Sequence, residues 1–199
     1  MFSDIKGNHT LIIVLHEIYG INRHIEEVCK YFSQCGYDVV CPDLTGEDKL
    51  FQYSQQQEAY KYFVENIGFE SAYEKVKKLI IDYRNQYKDI FVIGFSIGAT
   101  IAWLCSGLNE LCSGIIGVYG SRIRDYTNVT PRCPVMLVFP AHESPFEVGT
   151  LIGILDKNVE THILEGEHGF ADPYGKSFNK ESSEKLYALI RSFVQKSIK

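Results

Sequence analysis

The sequence contains no long apolar run and no cluster of basic residues. A membrane-spanning helix needs roughly 18 consecutive apolar residues, whereas the apolar segment at residues 11–15 ends at His16 and Glu17. The N-terminus also lacks the charged and apolar pattern of a signal peptide. The formal net charge of −5 argues against general binding to nucleic acid or to anionic membranes. We therefore expect a cytoplasmic monomer or homodimer with no nucleic-acid or membrane partner.

Cysteine pairs at metal-binding or redox spacing are also missing. The 199 residues include six cysteines, none in a C-x-x-C motif, and several fall within apolar helix or strand patterns. We therefore expect reduced and mostly buried thiols rather than a disulfide framework. The histidines do not pair with these cysteines at ligand spacing, so the sequence predicts no structural zinc site. No metal and no cofactor are expected.

What the sequence does contain is an alternation of short apolar runs and helical patterns. The apolar runs predict buried strands at residues 11–15, 37–41, 90–93, 114–119, 135–139 and 161–164. Helical patterns lie at about residues 22–34, at 57–87 with a break near Gly68, at 99–108 and at 181–197. Such strands form a mostly parallel sheet with helices on both faces. With no repeat or linker, the sequence predicts a single α/β domain over residues 1–199.

The most informative motif is G-F-S-I-G at residues 94–98, between a predicted strand and a helical pattern. A serine between two glycines at such a junction forms a nucleophile elbow, a strained turn that raises the hydroxyl above the sheet. The glycines are required because a Cβ at either position would collide with the neighbouring helix or strand. An isolated G-x-S-x-G occurs often by chance, but this setting favours a catalytic Ser96.

A serine hydroxyl is a weak nucleophile, so it needs a base, and the base needs an orienting acid. In α/β-hydrolases the chain order is nucleophile, acid and histidine. His162 lies within a predicted strand, which favours a structural role. His168 lies in a glycine-flanked loop, E-G-E-H-G-F at residues 165–170, just beyond the last predicted strand. The sequence therefore predicts His168 as the catalytic base.

The acid should follow the preceding strand, residues 135–139. Glu143 meets that condition, although a carboxylate at the start of the next helix would also suit the helix dipole. Asp125 is the alternative, because some hydrolases place the acid one strand earlier. His142 precedes any suitable acid in chain order, so we interpret it as a solvated loop residue.

The tetrahedral oxyanion of acyl transfer needs two preorganised N–H donors. One is the backbone N–H of Ile97, which follows the nucleophile at a helix N-terminus. The second should lie on a loop after an early strand, and H-E-I-Y-G at residues 16–20 fits that position. The backbone N–H of Ile18 is the candidate.

Several of these motifs resemble those of dienelactone hydrolases. E-I-Y-G-I-N at residues 17–22 is similar to a segment of that family, as is P-D-L at residues 42–44. The elbow, the acid loop and residues 165–170, followed by Asp172 and Pro173, match the family's order and spacing. The resemblance covers roughly residues 10–195.

This resemblance implies an α/β-hydrolase that cleaves esters or lactones without a cofactor. It implies that Glu17 contacts the nucleophile side chain in the resting enzyme, with Ile18 and Ile97 as the oxyanion hole. The chain departs from the family pattern in carrying Ser96 where the best-studied members have cysteine.

Two further departures concern charge. The triad acid is Glu143 where aspartate is usual, and Asp172 stands near where an arginine that grips a substrate carboxylate would be expected. An aspartate there would repel an anionic lactone, so dienelactone itself is not the expected substrate.

An apolar and aromatic pocket is expected. Tyr19, Tyr53, Tyr119 and Phe170 fall on loops at the predicted site face, and the polar segment 45–56 should cover the site from above. Neutral ester, lactone or thioester groups would suit such a pocket.

The sequence thus predicts a serine hydrolase that cleaves carboxylic esters or lactones with a Ser-His-Glu triad, through an acyl-enzyme. Two alternatives stay open at this point. The chain could be a thioesterase or peptidase with the same triad. It could also be a hydrolase fold that serves as a non-catalytic binding protein.

Overall fold

A seven-stranded sheet forms the centre of residues 1–144 and 146–198, the part of the chain that a computed structural model describes. Its strands are β1 (Phe2–Asp4), β2 (Thr10–Leu15), β3 (Asp38–Cys41), β4 (Asp89–Phe95), β5 (Gly114–Val118), β6 (Val135–His142) and β7 (Glu160–Glu167). The order is β1-β3-β2-β4-β5-β6-β7. All neighbours are parallel except β1 and β3. The predicted α/β class and mostly parallel sheet are confirmed.

Six α-helices occur among the described residues. They are α1 (Arg23–Gln34), α2 (Gln56–Asn66), α3 (Gly68–Arg84), α4 (Ile97–Cys105), α5 (Val148–Ile154) and α6 (Lys180–Ser197). Ile67 separates α2 from α3, and the next residue, Gly68, has a φ of +74°, which suits glycine. None of the described helices is both long and apolar enough to cross a membrane.

The two faces of the sheet bury separate hydrophobic clusters. Alternate residues of β2 point to opposite faces, so Leu11 and Ile13 pack in one cluster and Ile12 and Val14 in the other. The first cluster includes buried side chains of α2, α3, α4 and α5, and the second includes those of α1 and α6. Helices therefore cover both faces, which leaves the ends of the strands for a binding site.

Two short elements were not predicted from the sequence. Strand β1 has no apolar run and pairs only with β3, at one edge of the sheet. Helix α5 has seven residues, two of them glycine. Both are too short to produce a clear hydrophobic period.

Strands β6 and β7 are longer than predicted because each continues beyond its apolar run. β6 continues to His142 and β7 to Glu167, and these two residues are paired in the sheet. Since Glu143 and His168 come directly after this pair, the extra length brings the predicted acid and base side by side.

Candidate active site

Ser96 lies in the turn between β4 and α4, in the strained conformation of a nucleophile elbow. Its φ is 53° and its ψ −113°, a region that non-glycine residues rarely adopt. A Cβ on Gly94 would lie 2.1 Å from the carbonyl oxygen of Gly98, and a Cβ on Gly98 would lie 2.4 Å from that of Leu15. Both glycines are therefore required by close backbone approach, as the sequence predicted.

A continuous row of hydrogen bonds joins Ser96, His168 and Glu143. The Oγ of Ser96 is 2.9 Å from Nε2 of His168. Nδ1 of His168 is 3.0 Å and 3.1 Å from the two carboxylate oxygens of Glu143. Because the carboxylate can only accept, Nδ1 donates to it, and Nε2 is left to accept from the serine hydroxyl.

The carboxylate of Glu143 also sets the charge preference of His168. The side chain of Glu143 is 3% exposed and that of His168 is 36% exposed. Burial opposes protonation of the ring, but the hydrogen bond and charge of Glu143, together with the charge of Glu17, outweigh it. The pKa of His168 is consequently raised above its ordinary value.

The other candidate acid, Asp125, and the histidines His142 and His162 are not part of this row of hydrogen bonds. Asp125 is in a 3₁₀ helix (Ser121–Asp125), where its Oδ2 is 2.7 Å from Nε of Arg122. His162 is on β7, 2.7 Å from the carboxylate of Glu160. His142 is exposed at the end of β6. The structure brings Glu143, and not Asp125, to His168.

The loop that carries Ile18 is held by His16, a residue that the sequence analysis did not assign. Nε2 of His16 accepts a hydrogen bond from the backbone N–H of Leu44 at 2.8 Å, so Nδ1 carries the proton and donates to the carbonyl of Glu17 at 2.6 Å. The ring is fully buried. His16 thus ties the loop after β2 to the loop after β3. The only local signal for it was its position directly before the E-I-Y-G-I-N motif.

Both predicted oxyanion residues border the same space as the nucleophile. Ile97 is the first residue of α4, where backbone N–H groups point out of the helix. Ile18, Ile97, Ser96 and His168 all line one cavity of about 1180 Å³.

Comparison with known proteins decides the family. A model of the dienelactone hydrolase family matches residues 4–198. The chain belongs to the dienelactone hydrolase family. As a member of that family, it is a hydrolase that acts on ester bonds.

One curated relative matches this family member over nearly its whole length. It is 39% identical over 186 residues to the uncharacterised protein YczH of Bacillus subtilis (strain 168), covering 92% of this chain and 91% of that one.

Solved structures share the fold at low sequence identity. A dienelactone hydrolase-like promiscuous phosphotriesterase from metagenomic libraries has a TM-score of 0.80 at 12% identity, covering 98% of this chain and 89% of that one. Est1E from Butyrivibrio proteoclasticus, with ferulic acid bound, has a TM-score of 0.73 at 13% identity, covering 99% and 94% of the two chains. At these identities the likeness shows the fold alone.

In this member of the dienelactone hydrolase family, Glu17 bonds to a different partner from the one that the family resemblance implied. Its Oε1 accepts a hydrogen bond from the hydroxyl of Tyr119 at 2.8 Å, whereas the Oγ of Ser96 bonds to His168. A serine hydroxyl can donate to a neutral imidazole, so it does not need the carboxylate that the resemblance assigned to it.

Two of the four aromatic residues expected to face the substrate lie beneath the site. Tyr119 and Phe170 are fully buried, with their rings 5.4 Å apart, and neither lines the cavity. Tyr119 has a φ of 42°, an unusual strand-end conformation, and its ring is 5.0 Å from that of His168. Since both rings are buried away from the cavity, the expectation that they contact substrate is wrong.

Tyr19 and Tyr53 do line the cavity, as expected. Their rings are 4.9 Å apart in an edge-to-face arrangement, and the hydroxyl of Tyr53 donates to Oδ2 of Asp172 at 2.6 Å. Burial, with the charges of Glu17 and Asp172, raises the pKa of Tyr19 to about 12. Tyr53 is in a 3₁₀ helix (Tyr53–Gln55), so segment 45–56 borders the cavity.

One group of buried side chains beside the cavity has the composition of a metal site. Ligand atoms of Glu17, His24 and Asp172 all lie within 4.8 Å of one another, and the three residues are 4%, 1% and 2% exposed. This group was not predicted, because its members come from three separate parts of the chain.

Proposed function

We propose that the protein is a serine esterase that works through an acyl-enzyme. The observation that carries this proposal is the row of hydrogen bonds from Ser96 through His168 to Glu143. The same three groups in this order activate a serine in other hydrolases. Membership of the dienelactone hydrolase family supports the ester bond as the target.

In the first half-reaction the Oγ of Ser96 attacks the carbonyl carbon of the ester while Nε2 of His168 takes its proton. The backbone N–H groups of Ile18 and Ile97 stabilise the negative oxygen of the tetrahedral intermediate. The bond to the leaving alcohol then breaks, and His168 returns the proton to that oxygen. The product of this half-reaction is an ester of Ser96.

Water completes the cycle by the same route. His168 takes a proton from the water molecule, whose oxygen attacks the acyl carbon. The second tetrahedral intermediate collapses, the Oγ of Ser96 leaves, and His168 returns the proton to it. The carboxylic acid is released, and Glu143 holds the imidazole in one tautomer and stabilises its charge at both stages.

The acyl group is proposed to be uncharged. Five carboxylates and two basic side chains line the cavity with Ser96: Glu17, Glu143, Glu147, Glu167 and Asp172, against Arg122 and Lys176. The aromatic rings of Tyr19 and Tyr53 add apolar surface. A negative acyl group would be repelled there. We expect metal-free protein to prefer a neutral ester over the same ester with an acyl carboxylate by at least about tenfold in kcat/KM.

We also propose that the protein works in the cytoplasm. All six cysteines are free, four of them buried. Reduced cysteines persist in the cytosol, whereas oxidising compartments favour disulfides.

Labelling with a fluorophosphonate tests the nucleophile, because this reagent forms a covalent bond only with an activated serine. We expect one adduct, mapped by mass spectrometry to Ser96. Ser96→Ala should abolish labelling, and the matched control Ser71→Ala, at an exposed position of α3, should retain it. A folded protein that gives no adduct would argue for a binding role. If Ser96 is labelled, a panel of esters, thioesters and amides separates an esterase from a thioesterase or peptidase.

A further inference from the structure

Glu17, His24 and Asp172 meet behind one wall of the cavity, although they are far apart in the chain. Glu17 follows β2, His24 is in the first turn of α1, and Asp172 is in the loop after β7. Of the three, Glu17 and Asp172 also line the cavity. The group therefore lies between the core and the space proposed for substrate.

His24 is the unusual member of this group. Both of its ring nitrogens are buried without a hydrogen-bond partner. Nδ1 is 3.8 Å from Oδ2 of Asp172, too far for a hydrogen bond, and the ring packs edge-to-face on Phe95 at 5.4 Å. Buried polar groups are nearly always paired, because leaving one unpaired costs about 1–3 kcal/mol. A ligand that binds a histidine nitrogen would remove this cost.

The two carboxylates need a positive partner as well. Among the described residues, neither Glu17 nor Asp172 forms an ion pair with lysine or arginine, and the positive partner nearest to Asp172 is His24 itself, at 3.8 Å. Buried carboxylates are normally paired or bound to a metal. One bound cation would therefore balance the charge of the two carboxylates and give the imidazole of His24 a partner.

Hydrogen bonds from outside the group orient the carboxylates. The hydroxyl of Tyr119 donates to Oε1 of Glu17, and that of Tyr53 donates to Oδ2 of Asp172. The backbone N–H of Tyr174 donates to Oδ1 of Asp172 at 2.9 Å. Metal-binding carboxylates are oriented by such outer contacts, which retain free lone pairs for the ion.

We propose that Glu17, His24 and Asp172 bind one divalent transition-metal ion of the zinc class. An imidazole with two carboxylates suits zinc, whereas calcium takes six to eight oxygen ligands. Two atoms that are each about 2.1 Å from one zinc ion are at most about 4.2 Å apart, so a pair at the 4.8 Å limit must close by roughly 0.6 Å. Three protein ligands leave a position open toward the cavity.

This proposal departs from the sequence-based expectation that the protein has no metal. It also has a consequence for substrate choice, which rests on the proposed esterase function. A bound divalent ion would neutralise Glu17 and Asp172. Repulsion of an acyl carboxylate at that wall would be replaced by attraction.

Zinc binding is measured first and without turnover. Metal-free protein, freed of any purification tag, is titrated with Zn²⁺ by calorimetry, in the wild type and in Ser96→Ala. We expect one ion per chain in both, since Ser96 is not a ligand. Failure to bind one ion in the wild type would overturn the proposal, whether or not the esterase proposal holds.

Variants then locate the ion. His24→Gln and Asp172→Asn should each weaken zinc binding at least about tenfold, while the matched control His162→Gln, on the surface of β7, should leave it unchanged. Circular dichroism and melting temperature show whether each variant is folded. Unchanged binding in folded His24→Gln and Asp172→Asn would overturn the proposal.

Cobalt substitution separates this site from the cysteines. Co²⁺ bound by nitrogen and oxygen ligands gives visible absorption bands without a thiolate-to-cobalt charge-transfer band in the near ultraviolet. A thiolate band would assign the ion to cysteine and overturn the proposal.

The substrate consequence is tested on the zinc-loaded enzyme. The ratio of kcat/KM for the anionic ester to that for its neutral counterpart should rise at least about tenfold on loading. If one zinc ion binds but the ratio does not change, the metal site is supported and its proposed effect on substrate choice is contradicted.

Discussion

Two buried or half-buried histidines, His168 and His24, lie beside carboxylates on the two sides of this site, and only one of them is satisfied. His168 has a partner on each ring nitrogen, at 2.9 Å on one side and 3.0 Å on the other. His24 has a partner on neither, with its nearest carboxylate oxygen 3.8 Å away. The row at His168 is complete from protein groups alone, whereas the group at His24 lacks one member. The same residue type is therefore fully paired in the proposed triad and unpaired beside the two carboxylates of the proposed metal site.

The largest effect is expected on the complete side. His168→Gln and Ser96→Ala should each lower kcat/KM for a neutral ester by about 10⁴-fold or more, since each removes a member of one catalytic unit. The double variant should lose little more than either single variant. Losses that multiply in the double variant would show that the two residues do not act as a unit.

Removing the charge of Glu143 should have the next largest effect. Glu143→Gln keeps the side-chain size but cannot hold the imidazole as a charged acceptor, so kcat should fall by about 10²- to 10⁴-fold.

The role of Glu143 also predicts how activity depends on pH. His168 must be neutral to accept a proton, so activity falls as the pH drops through its pKa. With that pKa raised by Glu143, the acid limb of kcat/KM should lie above the ordinary histidine value of about 6.5. In Glu143→Gln the limb should move to lower pH. An unchanged limb would mean that another group sets it.

A third buried histidine, His16, extends the comparison to the stability of the fold. His16 is bonded on both nitrogens and fully buried. His16→Ala should lower the free energy of unfolding by about 2–4 kcal/mol, from two lost hydrogen bonds and a cavity. Denaturant unfolding measures this, and a loss below 0.5 kcal/mol would show that the two loops do not depend on His16.

The smallest effect is expected at the incomplete side. Tyr53→Phe removes the hydroxyl that donates to Asp172. Because Tyr53 is partly exposed, water can replace it, and the free energy of unfolding should fall by about 1 kcal/mol or less. The same measurement on exposed Tyr60→Phe serves as the control.

Residues whose signal is local or follows chain order could be predicted from the sequence. Ser96 was predicted from five consecutive residues, and His168 and Glu143 from their positions after successive strands. Their catalytic roles stay predictions, although the structure brings them together.

Residues with a distant partner or an unusual backbone conformation could not be predicted in this way. His24 lies on the buried face of α1, and nothing in that helix indicates that Asp172 will lie beside it. Tyr119 was expected to face the substrate, but a φ of 42° and a burial of its ring against Phe170 turn it away. Neither property can be read from the residue types alone.

The position of β7 at the edge of the sheet affects how the enzyme should respond to heat. Ser96 follows β4, which is paired on both sides, whereas His168 follows β7, which pairs only with β6. Edge elements open locally at a lower free energy than the whole fold. Amide hydrogens of β7 should therefore exchange with solvent sooner than those of β4. Warming should separate the base from the nucleophile, and end turnover, while most of the sheet is still folded.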